Sequence, residues 1–184
     1  MEARNEKLRD GLRKLYYAEI ITVVSVLCTI LALIPVLGLL FLIGILFALV
    51  AALVLDIMGL VQLRDLHDNY TAALFLAILN GILSFFNEST VVDVITTVLG
   101  LIMMWLLIKT TNQFLSEIGR EDVIRLGRNA LLCNVILAVM SIVCLLITTF
   151  ALGLAAFLAV IALIISLLGL VFYIPYLKQA SQAF

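Results

Sequence analysis

Glu19, Asp56, Asn80 and Asn134 are the residues of this 184-residue sequence best placed to do chemistry, because each interrupts an apolar run. In the stretch "AALVLDIMGLVQL", residues 51 to 63, five apolar residues lead into Asp56. A carboxylate in such a run costs about 2.5–3.5 kcal/mol at the centre of a bilayer and is retained either for a helix contact or for an ion or solute path. Depth lowers that cost. Asp56 precedes Arg64 by eight residues, about 12 Å along a helix at 1.5 Å per residue, which places it inside one leaflet and away from the midplane. Glu19, five residues after Lys14, reads to a similar depth on the preceding helix. Its expected partners are Arg13 and Lys14, whose long stems can snorkel.

Other polar residues line up with these four. Glu19, Thr22, Ser25 and Thr29 recur at steps of three and four, as do Asn80, Ser84 and Asn87; Asn134, Ser141 and Thr148 follow at steps of seven. Such spacing keeps each set on one helical face. Within lipid a polar face turns inward, where it serves interhelical hydrogen bonds averaging about 0.6 kcal/mol each, or lines a path.

Enzymatic chemistry finds no comparable constellation. His67, the one histidine, stands in "LRDLHDNY" and reads as a solvated loop residue. Cys28, Cys133 and Cys144 lie in apolar runs without CxxC or Cys/His spacing, and read as small packing residues. No HExxH pattern or glycine-rich phosphate loop occurs, and Ser25, Ser84, Ser141 and Ser166 have no base spaced to serve them. Asp93 is the remaining carboxylate near a span, and it is expected at the opposite membrane face from Glu19 and Asp56. The chain is therefore read as a non-enzyme with no catalytic, cofactor-binding or metal-binding residues. A net charge of -1, without a basic tract, argues against nucleic acid as a partner.

The elements that hold these residues follow from hydropathy. With 65% hydrophobic and only 12% charged residues, and a mean hydropathy of +1.29, the chain departs from soluble domains, where about a quarter of residues are charged. Apolar runs predict six spans, at about 16 to 34, 39 to 62, 70 to 86, 91 to 109, 130 to 149 and 154 to 175. Period-two alternation is absent, so the predicted fold is an all-α, polytopic membrane protein. The short breaks "IPVLG", "NEST" and "TTFALG" join the spans into three helical hairpins, at 16–66, 67–110 and 129–177. Together with an amphipathic segment at 1–15, a loop at 111–128 and a tail at 178–184, these make a single integral membrane domain. The N-terminal run reads as a retained span and not as a signal peptide.

In this layout all eleven Lys and Arg fall on one side. The excess of cations marks the cytoplasmic face, so both termini are expected there, in a bacterial cytoplasmic membrane. Tyr16, Tyr17, Trp105, Tyr173 and Tyr176 lie towards the same face and are expected to form an interfacial aromatic belt. The segments "EKLRDGLRKLYYAE" and "NQFLSEIGREDVIRLGRN" carry apolar faces beside cations and are expected to lie in the membrane interface against anionic lipid.

A weak repeat runs through the hairpins. "DIMGLV", "TVLGLI" and "SLLGLV" each place a polar residue three before a glycine, pairing Asp56 with Gly59, Thr97 with Gly100 and Ser166 with Gly169. "LRDGLR" and "IRLGRN" resemble one another at the start of the first and third hairpins, as do "SVLC" and "SIVC" further along. Small residues at this spacing let helices approach, as does the stripe Ala155, Ala159, Ala162, Ser166, Gly169. Asp56 is then a helix-contact position with an unusually polar occupant. The leading expectation is a non-enzymatic membrane protein with a structural, assembly or interaction role, its partners being lipid and a second copy or another membrane protein. The alternative is a transporter or channel subunit whose path is lined by Glu19, Asp56, Asn80 and Asn134.

Overall fold

A computed structural model describes residues 2–31, 38–83, 90–148 and 152–184. It is all-helical. Six α-helices follow one another: α1 Glu2–Leu31, α2 Gly38–Leu63, α3 Asp68–Leu83, α4 Thr90–Glu117, α5 Glu121–Thr148 and α6 Leu152–Ala183. Four of them, α2, α4, α5 and α6, are long and apolar enough to cross a membrane, and α3 is a shorter apolar helix. The breaks "IPVLG", "NEST" and "TTFALG", and with them Ser84 and Asn87, lie wholly or largely outside the described residues, as do the side chains of Thr29, Thr148, Ala155, Ala159 and Ala162.

The helices end where local chemistry ends them. Gly119 takes φ +71°, and around it the Gly119 N–H donates to the Ser116 carbonyl at 3.2 Å and the Arg120 N–H to the Leu115 carbonyl at 3.1 Å. This double bond pattern closes α4 with a glycine in the left-handed region. Glu121 and Asp122 then open α5 with negative charge in its first turn, where the helix dipole favours it. Between α2 and α3, a single 3-10 turn at Arg64–Leu66 leads to His67. His67 caps α3: its Nδ1 accepts the Asn69 N–H at 3.1 Å and its carbonyl accepts the Tyr70 N–H at 2.9 Å. The histidine read as a solvated loop residue thus satisfies two of the N–H groups a helix start leaves open.

Packing joins the helices in a closed ring. α1 lies most extensively on α2, α5 on α6 and α3 on α4; α2–α3, α4–α5 and α6–α1 complete the circuit, with a slight contact of α4 and α6 across it. The densest core gathers at the end of the ring that carries the cations, here termed the basic end. Leu8, Leu12 and Leu15 of α1 meet Leu60 and Leu63 of α2, and Leu115, Val123 and Leu177 join the same cluster. Away from that end, large apolar side chains face outward: Leu46, Phe47, Phe75, Val91, Val139 and Val171 are each more than half exposed. A surface of this kind is suited to hydrocarbon, not water, and the four apolar helices point to membrane embedding.

Two expectations change here. The segments at 1–15 and 112–129 turn most of their apolar side chains inward: Leu8, Leu12, Leu15, Phe114, Leu115 and Val123 are buried in the basic-end core, while Ile118 stays exposed. The physical reason is that six helix ends meet there, so protein supplies the apolar contact that lipid was expected to give. Tyr176 also leaves the predicted aromatic belt and is completely buried, because its hydroxyl finds the Asn112 Oδ1 at 3.1 Å and the Ile108 carbonyl at 3.5 Å.

Ion pairs fasten the outside of this end. Arg4 meets Glu117 at 2.9 Å and Lys7 meets Asp65 at 3.2 Å, with all four side chains substantially exposed. Such exposed pairs contribute little, because water and salt screen them. Arg4 also lies over the Phe114 ring, 5.3 Å from its centroid, which adds about 0.5–1 kcal/mol. Arg4→Ala is accordingly expected to lower thermal stability in detergent more than Lys7→Ala does, and to lose less of its effect in 1 M salt; equal shifts for the two variants at both salt concentrations would refute this ordering.

Candidate functional site

Hydroxyls on the polar faces spend their hydrogens within their own helices. Thr22 donates to the Ala18 carbonyl at 3.0 Å and Ser25 to the Ile21 carbonyl at 2.8 Å. On α4, Thr96 and Thr97 both donate to the Asp93 carbonyl, at 3.0 and 2.7 Å. The Asn134 amide does the same on α5, donating to the Ala130 carbonyl at 3.0 Å. Bonding of this kind satisfies a hydroxyl or amide hydrogen in an apolar setting.

The carboxylates are different. Glu19 on α1 and Asp56 on α2 are half-buried, lie within electrostatic reach of one another, and among the described residues neither makes an ion pair or a hydrogen bond. Arg13, one of the cations expected to reach Glu19, instead faces Asp10 at 3.6 Å. Arg13 sits at the basic end, and Asp10 one turn away is a nearer, wetter partner than a carboxylate deeper along the helix. Tyr173 of α6 stands within electrostatic reach of both Glu19 and Asp56.

Beside Glu19 the ring leaves space. A cavity of about 370 Å³ is lined by Glu19, Thr96, Thr97, Gly100, Asn134, Ser141 and Tyr173, with Leu101, Met103, Met104, Leu137 and Ala138 completing its wall. A smaller one of about 110 Å³ adjoins it, sharing Glu19, Met104, Asn134 and Tyr173 and adding Ser166, Gly169 and Leu170. The four residues expected to line a path are therefore placed as follows: Glu19 and Asn134 on both cavities, Asp56 on neither but within electrostatic reach of Glu19, and Asn80 beside Gly100, where its Nδ2 would lie 3.8 Å from a Cβ added to that glycine. Thr97, Gly100, Ser166 and Gly169 line the cavities too. Gly59 stands apart, against α1.

The three glycines of the repeat each face the first helix of their own pair, but at unequal distance. A Cβ at Gly59 would lie 2.9 Å from the Gly11 backbone oxygen; at Gly169 it would lie 3.4 Å from the Asn134 Nδ2, and at Gly100 nothing would come closer than 3.8 Å. Close backbone approach belongs to Gly59 and to two glycines whose contacts pattern reading missed. At Gly11 an added Cβ would meet Leu63 at 2.6 Å, and at Gly127 it would meet the Tyr176 ring at 2.6 Å. Their signal was present in the resemblance of "LRDGLR" to "IRLGRN", which puts Gly11 and Gly127 in register.

The basic end closes the floor beyond the cavities. Tyr70, completely buried, shares a 2.8 Å hydrogen bond with Thr111 and stacks on Phe114 at 6.4 Å between centroids. Asn69 donates to Thr110 at 3.0 Å, and Tyr176 stacks on Tyr173 at 6.4 Å. Two tyrosines on α3 and α6 thus converge on one stretch of α4, residues 108 to 112. No protein-family model, curated protein or solved structure matches the chain.

Proposed function

We propose that this chain is an integral membrane protein of the transporter or channel type, crossing the membrane as three helical hairpins with both termini cytoplasmic, and that it holds a small solute or ion in the space between its helices. The observation that carries this reading is the cavity beside Glu19. A bundle with a purely structural role has no use for about 370 Å³ of space next to an unpaired carboxylate, since a cavity lined by protein loses contacts and the charge loses hydration. At about 20 residues per span, α1, α4, α5 and α6 are long enough to cross and then extend into the cytoplasm, where the basic-end core forms the inner floor of the site.

A second reading, a non-enzymatic assembly or interaction role, is favoured by that same floor, where Tyr70 and Tyr176 are completely buried and seal the inner side. Flux separates the two. Purified protein in vesicles is assayed with sodium, potassium, tetraethylammonium, urea and glycerol, alongside Glu19→Gln, Asp56→Asn and Asp56→Ser. Protein-dependent flux of at least one of these is expected, lost in Glu19→Gln and Asp56→Asn while their thermal stability is kept, because the amides retain size and hydrogen bonding but lose the negative charge. No flux for any solute, with all variants folded, favours the assembly role.

A further inference from the structure

We infer that the cavity beside Glu19 binds an organic cation of the substituted-ammonium class. This deepens the transporter reading and rests on it. Three features select the class. First, the cavity carries a carboxyl group without a cationic partner: Glu19 lines both cavities, Asp56 of α2 is near enough to act on it electrostatically, and neither is engaged by Arg or Lys among the described residues. Neighbouring carboxyls drawn partly out of water hold either a proton or a cation, and a bound cation lets Glu19 keep its charge. Second, the wall suits an alkylated cation better than a bare metal ion. Tyr173 offers an aromatic ring, Met103 and Met104 offer polarizable thioethers, and Leu101 and Leu137 offer apolar contact; rings and soft side chains stabilise ammonium groups that carry carbon substituents. A hard divalent cation would need about six or more oxygen ligands drawn in close, and no group of three or more acidic, His or Cys side chains is gathered among the described residues.

Third, size agrees. A volume of about 370 Å³ falls within the span of about 300–1,000 Å³ typical of small-molecule sites and far exceeds what a dehydrated ion fills. Within it the cation's charge faces Glu19, its substituents lie on Tyr173 and Met104, and the oxygens of Asn134 and Thr97 are left to accept from any N–H the ligand carries. Asp56 acts at longer range, through the field it adds at Glu19.

Tetraethylammonium is the probe. Its binding to the purified protein in detergent is measured by isothermal titration for wild type, Glu19→Gln, Asp56→Asn and the lipid-facing control Leu46→Ala, with thermal unfolding of each recorded in parallel. Binding to wild type and Leu46→Ala is expected. Glu19→Gln should weaken it by about tenfold or more, since truncating a charge that a ligand pairs with in an apolar site removes most of the attraction, and Asp56→Asn should weaken it by a smaller factor. Unchanged affinity in a folded Glu19→Gln would overturn the inference, because the cation would then be binding elsewhere. No binding of tetraethylammonium, together with Glu19-dependent flux of another solute in vesicles, overturns the cation class and leaves the transporter reading standing; no binding and no flux removes both.

Discussion

Tyr176→Ala is expected to cost about 3–5 kcal/mol of stability, the range for removing a large aromatic side chain from a packed core. Tyr176 is completely buried, its hydroxyl donates to Asn112 at 3.1 Å, its ring stacks on Tyr173, and the Gly127 backbone lies directly against it. Truncation empties that space and leaves the Asn112 oxygen without its donor. Tyr176→Phe keeps the ring and loses one hydrogen bond, so its cost should be only about 1 kcal/mol. Chemical unfolding in detergent micelles, followed by the tryptophan fluorescence of Trp105, reads both. Similar, small losses for the two variants would mean that the basic-end core does not hold the ring together.

The second large effect concerns close backbone contacts. Gly127→Ala should destabilise by about 1–3 kcal/mol, the usual cost of forcing an extra carbon into a packed site, because its Cβ would stand 2.6 Å from a ring that hydrogen bonds hold in place. Gly59→Ala should behave alike, since the obstruction at 2.9 Å is a backbone oxygen that can move only with its helix. Gly100→Ala is expected to go the other way. Nothing crowds its Cβ, and alanine gains up to about 1 kcal/mol over glycine within a helix. Gly127 and Tyr176 should also be coupled: in a Tyr176→Ala background the added methyl meets no ring, so Gly127→Ala should cost less there than in wild type, and the difference is the interaction energy of a double-mutant cycle. Strict additivity, or equal losses at Gly59 and Gly100, would contradict the packing described.

A six-residue pattern cannot distinguish Gly59 from Gly100. Both stand three residues after a small or acidic polar residue and before a leucine, yet one touches the backbone of the facing helix and the other opens on a cavity. What separates them is how far apart the paired helices run at that level, and this is decided by side chains such as Asn80 on the partner helix. The same reason explains Arg13. Snorkelling made it a reasonable partner for Glu19, but Asp10 competes for it one turn away, and residues three apart on a helix are neighbours whatever the rest of the bundle does.

By itself the sequence determined the helical class, the apolar character of the long helices and the gathering of all cations at one end, because run length, hydropathy and charge are local properties that any arrangement must respect. It also singled out Glu19, Thr97, Asn134, Ser166 and Gly169, whose polarity or smallness stands out against an apolar background. Only the tertiary structure decided that these residues from α1, α4, α5 and α6 border shared space, that Asp56 is absent from its lining, and that Leu8, Leu12 and Leu15 pack on protein at the closed end of the ring. An apolar face is the same in sequence whether lipid or another helix covers it; which one does depends on where the other five helices end.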